Sequence, residues 1–266
     1  MNNKEIILKR LEHDYHFVES FGHKVFGVFL QGSQNYGLEY EGSDIDTKCI
    51  VLPSFEDIIL NKKPVSTTLI LEDNSHIDLK DIRLMWECFK KQNINFLEIF
   101  FTPYLILKPD YSDIWSTLTI CSEDIAHYNN YAAVNCIVGM ILEKNAALCH
   151  PYPSLKDKID KYGYDNKQLH HIIRCEEFLK RYIAGVPYGE CLFPTRPEHL
   201  IDVKSKYIYS LEEAKEIAKN IVYIVKDIKQ VYMETHEPEL NENAFNVLQE
   251  TLLEAIKRSL KEEIIK

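Results

Sequence analysis

Glycine is scarce in this chain, at 9 residues in 266, and methionine and tryptophan are scarcer still, at 4 and 2. So little glycine excludes a collagen repeat or a glycine-rich linker. The seven cysteines are odd in number and never spaced as CxxC, which argues against a zinc knuckle or a disulfide framework and leaves them as small buried hydrophobes. Basic residues are outnumbered 31 to 41, for a formal charge of −10. The surface as a whole therefore repels phosphate backbones and anionic membranes, and any polyanion must meet a local basic pocket. No run approaches the ~20 apolar residues of a membrane span. The opening MNNKEIILKRLEHD has no apolar signal-peptide core. The expectations are no membrane partner and a cytoplasmic location.

Hydrophobic residues make up 45% of the chain and charged residues 27%, enough for a sizeable core. The length suits two modest domains. A helical stripe over Glu5 to Ser20 ends at Gly22 in the manner of a C-cap, and strands are expected over 24–30 and 45–52. Ser54 reads as a helix N-cap, residues 65–72 as the first strand of a strand-turn-strand broken at Asp73-Asn74-Ser75, and 79–92 and 95–101 as helices. Beyond Glu123 the strand signal fades and helices are expected over 124–148, 165–184, 210–233 and 242–265, the third opened by a Ser210/Glu213 capping box. The expected fold class is α+β: a small mixed sheet core with helices over residues 1–115, then an α-helical bundle over 116–266 that closes a cleft.

The segment GSQNYGLEYEGSDID, Gly32 to Asp46, carries the chemistry. Gly32-Ser33 follows a strand and opens a turn whose free N–H groups favour an anion such as phosphate. Asp44 and Asp46, with period-two alternation on a strand, are expected to project from one face, roughly 6 to 7 Å apart at the backbone. Carboxylates so close call for a cation, and oxygen donors suit Mg²⁺ or Mn²⁺ bridging protein and substrate phosphates. Asp78, flanked by Ile77 and Leu79, is the candidate third acid. Its rival role is N-cap of a helix beginning at Leu79.

Gly32-Ser33, ten intervening residues, then Asp44-Ile45-Asp46 resembles the signature of nucleotidyltransferases of the DNA polymerase β superfamily. Within it, IDLKDIRLMWECFKKQNINFLEIFFTP and GYDNKQLHHIIR make the chain similar to the branch associated with RNA repair ligases, found in bacteria and phages. Ile77 and Lys80 depart from that branch, which carries an aromatic residue before the third acid and a small or apolar one after it. The resemblance implies transfer of a nucleoside monophosphate from an NTP to a hydroxyl acceptor. Gly32 and Ser33 would lie on the phosphates, and Asp44, Asp46 and Asp78 on Mg²⁺ or Mn²⁺, with Asp78 helping to ionise the acceptor. RNA is the favoured acceptor; a protein or small molecule is the alternative. The competing reading is a nucleotide sensor or antitoxin-like binder without turnover.

Further nucleotide contacts are expected from Ser43, from Lys48 on the strand face of Asp46, and from Lys167, His170 and Arg174, which recur at helical spacing on one face. The bland readings are an edge-strand lysine for Lys48 and a solvated helix face for the other three. His76 reads as a surface histidine and Tyr36 as a base-stacking or packing residue.

Overall fold

The computed structural model describes residues 3–40, 42–73 and 75–265. The fold is α+β, and the chain divides into two compact units, residues 1–35, 42–128 and 240–266 in the first and 36–41 with 129–239 in the second.

The first unit opens with α1 (Asn3–Ser20), stopped at Gly22 with φ +81°. Then come β1 (Lys24–Gln31), β2 (Asp46–Leu52), α2 (Phe55–Ile59), β3 (Ser66–Ile70), β4 (His76–Asp81), α3 (Ile82–Lys90), α4 (Ile94–Leu97), β5 (Leu105–Leu107), α5 (Ser112–Ile120) and α6 (Ser122–Ala126). The five strands form one mixed sheet in the order β3-β4-β2-β1-β5, in which β2 and β4 run parallel and the other pairs antiparallel. Alternation gives the sheet two buried faces. Val28, Leu30, Cys49, Val51, Ile77 and Leu79 pack with Ile7, Leu11 and Val18 of α1. On the other face Phe26 and Phe29 meet Tyr111 and Trp115 in edge and tilted ring contacts. A β-bulge between Val25 and Gly27 lets both faces stay filled, and a Cβ on Gly27 would lie 2.7 Å from Leu107 Cδ2.

Among the described residues, the regular elements of the second unit are all helices: α7 (Asn130–Ala147), α8 (Lys156–Tyr162), α9 (Asn166–Ile183), α10 (Tyr188–Cys191), α11 (Pro197–Ser205) and α12 (Leu211–Thr235). Ile137, Val138 and Ile141 of α7, Leu169, Ile172 and Leu179 of α9, Leu200 of α11 and Ala214, Ala218 and Val225 of α12 make its core. The last helix, α13 (Glu242–Ile265), belongs to the first unit.

Three expectations are corrected. The division falls at Tyr128/Asn129 and not at 115, because Trp115 of α5 packs on β1, α6 packs on α5 and α13, and α13 returns to the sheet unit. The helix expected from Leu79 begins at Ile82, capped by Asp81, whose side chain accepts from the Arg83 N–H; the residues before it form β4. The helix expected over 124–148 is interrupted at His127, and α7 restarts with Asn129 as its N-cap. The capping boxes at Ser54 and Ser210 are both present. All seven cysteines are free thiols; Cys49, Cys175 and Cys191 are buried, and the other four are only partly so.

Candidate active site

The β1–β2 ladder ends where Gln31 faces Asp46. Gly32, with φ +82°, then turns the chain out of the sheet, a conformation that glycine adopts without the penalty of a side chain. A short 3₁₀ turn, Ser33–Asn35, follows and is pinned from inside. The Asn35 N–H donates to the Gly32 carbonyl at 3.0 Å, its Nδ2 donates to the Leu30 carbonyl at 2.8 Å, and Thr102 Oγ1 donates to its Oδ1 at 2.7 Å. A Cβ built on Gly32 would sit 3.7 Å from Asp46 Oδ2, so the turn lies against that carboxylate. Ser33 is half-buried at its start.

Asp44 is placed differently from expectation. β1 turns away at Gly32 and β2 begins at Asp46; Asp44 is exposed, in the irregular segment before the strand. Period-two alternation therefore does not govern the pair. Asp44 and Ser43 line a shallow cavity at the sheet end with Ile6, Arg10, Ile45, Asp73 and Ser75. Its floor is a buried network: Arg10 Nε lies 2.7 Å from the Asp14 carboxylate, which also accepts from Thr47 Oγ1 at 2.6 Å.

Asp78 lies inside β4, so the helix N-cap role passes to Asp81. In the parallel register Thr47 faces Ile77 and Lys48 faces Asp78, and Asp46 lies beside His76 at the strand starts. Asp46, Lys48, His76, Asp78 and Lys80 thus share one sheet face, with Asp46 and Asp78 roughly 8 Å apart at the backbone from one strand spacing and two residue steps. The surroundings of the two acids differ. Asp46 Oδ1 is shielded from solvent without a hydrogen bond, 3.4 Å from His76 Nδ1. Asp78 is filled: Lys48 Nζ is bonded to its Oδ2, and Lys80 Nζ lies 2.9 Å from its Oδ1. Lys48 is no edge-strand lysine, since β2 is the middle strand and the side chain is 1% exposed. Its Nζ stands 4.4 Å from the Phe96 ring centroid. Burial pushes its pKa below the ordinary lysine value, and Asp78 opposes that shift.

The test of a divalent cation against these residues divides the three acids. The unsatisfied, shielded oxygen of Asp46 fits a cation, whereas Asp44 lies exposed at the cavity beside Arg10 and Asp73 and is not brought to Asp46. Asp78, with an ammonium on each oxygen, does not fit as a third ligand. Among the described residues, no three His, Cys, Asp or Glu side chains gather closely enough to hold a metal ion.

The basic cluster on α9 separates into unlike parts. Lys167 is exposed in the first turn. His170 is a core residue, 2% exposed, whose Nδ1 lies 3.0 Å from the Leu200 carbonyl; burial lowers its pKa to about 3, so it is neutral and takes no part in binding phosphate as a cation. Arg174 is half-buried, with its guanidinium 4.0 Å from the ring centroid of Tyr36, an arrangement for cation–π attraction. Tyr36 is a packing residue, 3% exposed and edge-on to Phe193. Nearby in residues 36–41, Tyr40 lies under Lys204 Nζ at 5.2 Å.

Asn35 and Thr102, which hold the turn, and Lys80, which closes Asp78, are not evident from sequence pattern. The departure at Lys80 was the visible signal; the other two depend on a contact spanning 67 positions. Compared with known protein families and with curated proteins, the chain matches no family model and no curated relative.

Proposed function

We propose that this chain is a metal-dependent nucleotidyltransferase, moving a nucleoside monophosphate from an NTP to a hydroxyl acceptor with release of pyrophosphate. The observation that carries the reading is the meeting of a positive-φ Gly-Ser turn with Asp46 on one side and, on the same sheet face, Asp78 of the neighbouring parallel strand. Such a face concentrates carboxylate and ammonium groups beside a turn, as phosphoryl transfer needs, since its catalysis is largely positioning and charge stabilisation. Gly32 and Ser33 seat the phosphates. Asp46 would hold Mg²⁺ or Mn²⁺. A bound ion there supplies a Lewis acid that eases ionisation of the acceptor hydroxyl. The acceptor hydroxyl gives up its proton to solvent as its oxygen bonds to the α-phosphorus, and pyrophosphate leaves with the electron pair of the broken P–O bond. An RNA end is the favoured acceptor, on the resemblance to the repair-linked branch, with protein or small-molecule hydroxyls next.

Incubation with α-labelled NTPs, Mg²⁺ and a panel of RNA, protein and small-molecule acceptors tests the reading. Label transfer by the wild type that falls at least a hundredfold in Asp46→Asn supports it. Equal transfer by the two proteins, or NTP binding with no pyrophosphate released under any acceptor, refutes it, and the second result favours a nucleotide sensor.

A further inference from the structure

Among the described residues, β3 ends the strand order and pairs only with β4, and Ser66, Thr67, Thr68 and Ile70 on it are exposed, Ile70 at 68%. The two ends of the β3–β4 ladder show which way its backbone groups point. The Val65 carbonyl accepts from the Asp81 N–H at 2.9 Å, and the Leu71 N–H donates to the Ser75 carbonyl at 3.0 Å. Odd-numbered residues therefore turn their N–H and C=O groups toward β4, while Ser66, Thr68 and Ile70 turn theirs outward, away from the sheet. Sheet edges are ordinarily blunted by a charge, a proline or a bulge within the strand. From Val65 to Leu71 the chain reads VSTTLIL, with neither charge nor proline, and its threonines and isoleucine suit a pleated strand.

A second copy of the chain fits this edge. Antiparallel pairing about a two-fold axis at Thr68 sets Thr68 opposite Thr68 and Ser66 opposite Ile70 of the other copy, so that each outward residue exchanges both backbone hydrogen bonds. Shifting the register by two residues would draw into the pairing either Pro64, which has no N–H, or Glu72, which lies in the turn. Charge selects the same arrangement. Lys62 and Lys63 precede the strand and Glu72 and Asp73 follow it, so antiparallel pairing carries the lysines of each copy toward the acids of the other, whereas parallel pairing would bring like charges together.

We infer that the chain forms a symmetric dimer by antiparallel pairing of β3 with β3 of a second copy, centred on Thr68, so that one sheet runs without a break through both. Thr68 also faces Asp78 across the β3–β4 ladder. The axis therefore brings the two candidate sites into line on one sheet face, with their Asp78 residues roughly 14 Å apart at the backbone, three strand spacings. The dimer is independent of the nucleotidyltransferase reading, and its test reads mass and cross-linking, not transfer.

Sedimentation equilibrium of the full chain is expected to give twice the 31.2 kDa of one copy. Thr68→Pro removes an outward N–H that the single chain does not use, and is expected to leave circular dichroism unchanged while giving the mass of one copy. Thr68→Lys sets two ammonium groups opposite each other at the axis and is expected to raise the dimer Kd at least tenfold. Cross-linking reads the register. Thr68→Cys is expected to be joined across the axis by a thiol reagent spanning about 5 Å, the separation of facing residues, above the background of the wild-type cysteines. Ser66→Cys is not, because its two copies stand four residues apart along the strands. A monomeric wild type, a folded Thr68→Pro or Thr68→Lys protein that dimerises as the wild type does, or a Thr68→Cys yield no greater than that of Ser66→Cys overturns the inference. Should the proline variant not fold, the lysine variant and the two cysteine variants still decide the matter.

Discussion

Burial of the His170 imidazole against the Leu200 carbonyl ties the stability of the helical unit to pH. In the unfolded chain this histidine takes up a proton near its ordinary value of 6.5, whereas in the folded unit it stays neutral down to about 3. The unfolded state therefore binds more protons between those values, and stability falls as pH falls through that window. From pH 7 to pH 5 the loss attributable to His170 is about 2 kcal/mol. His171 shifts in the same direction, through burial and then the neighbouring His170, and adds to the slope. We expect His170→Gln to show a shallower decline in unfolding midpoint between pH 7 and pH 5 than the wild type; parallel declines would remove His170 as the cause. Carboxylates held below their usual range, such as Glu262 and Glu213, lose their contribution only at lower pH, so this window isolates the imidazoles.

At the scale of elements, the start of α3 separates two acids three residues apart. Asp81 caps the helix through the Arg83 N–H at 2.8 Å and is forked by the Arg83 guanidinium, while Asp78 points from the strand to Lys48. Asp81→Ala is expected to cost about 1–2 kcal/mol in urea unfolding, with Asp81→Asn recovering most of it because the cap acceptor remains. No recovery with Asn would mean that the ion pair, and not the cap, is what matters there. This stretch also shows where the sequence could be read and where it could not. Ser54 and Ser210 announce their helices because capping is local, with Asp57 and Glu213 three positions on. The end of β4 is hidden because Leu79, Ile82, Met85 and Phe89 fit a helical period as well as Ile77, Leu79 and Asp81 fit alternation. β5 has three residues, too few to carry a pattern. The acids at 44, 46 and 78 were legible as residue types at a spacing. That Asp44 lies off the strand and that Asp78 belongs to Lys48 follow from strand register, a non-local property no spacing reports.

For the whole molecule, the return of α13 to the sheet unit makes the two ends of the chain interdependent. Ala244, Leu248, Leu252 and Ala255 are buried, Phe245 meets Trp86 edge-on, and Lys24, Lys108 and Asp113 are paired with Glu263, Glu262 and Arg258. Burying two leucines alone contributes roughly 3–6 kcal/mol, comparable with the total stability of a small domain. A chain ending at Glu239 is expected to lose the cooperative unfolding of the sheet unit, seen as loss of near-ultraviolet circular dichroism from Trp86 and Trp115. A truncated protein that keeps that signal would show the helix to be dispensable.

The six residues 36–41 lie within the Gly-Ser-to-Asp motif yet are grouped with the helical unit, where the Tyr36 ring rests under Arg174. The polypeptide therefore passes between its units four times, at 35/36, 41/42, 128/129 and 239/240. Anyone grafting a foreign helical unit in place of 129–239 must transplant this hexapeptide as well, or leave an aromatic anchor without its socket in the middle of the motif.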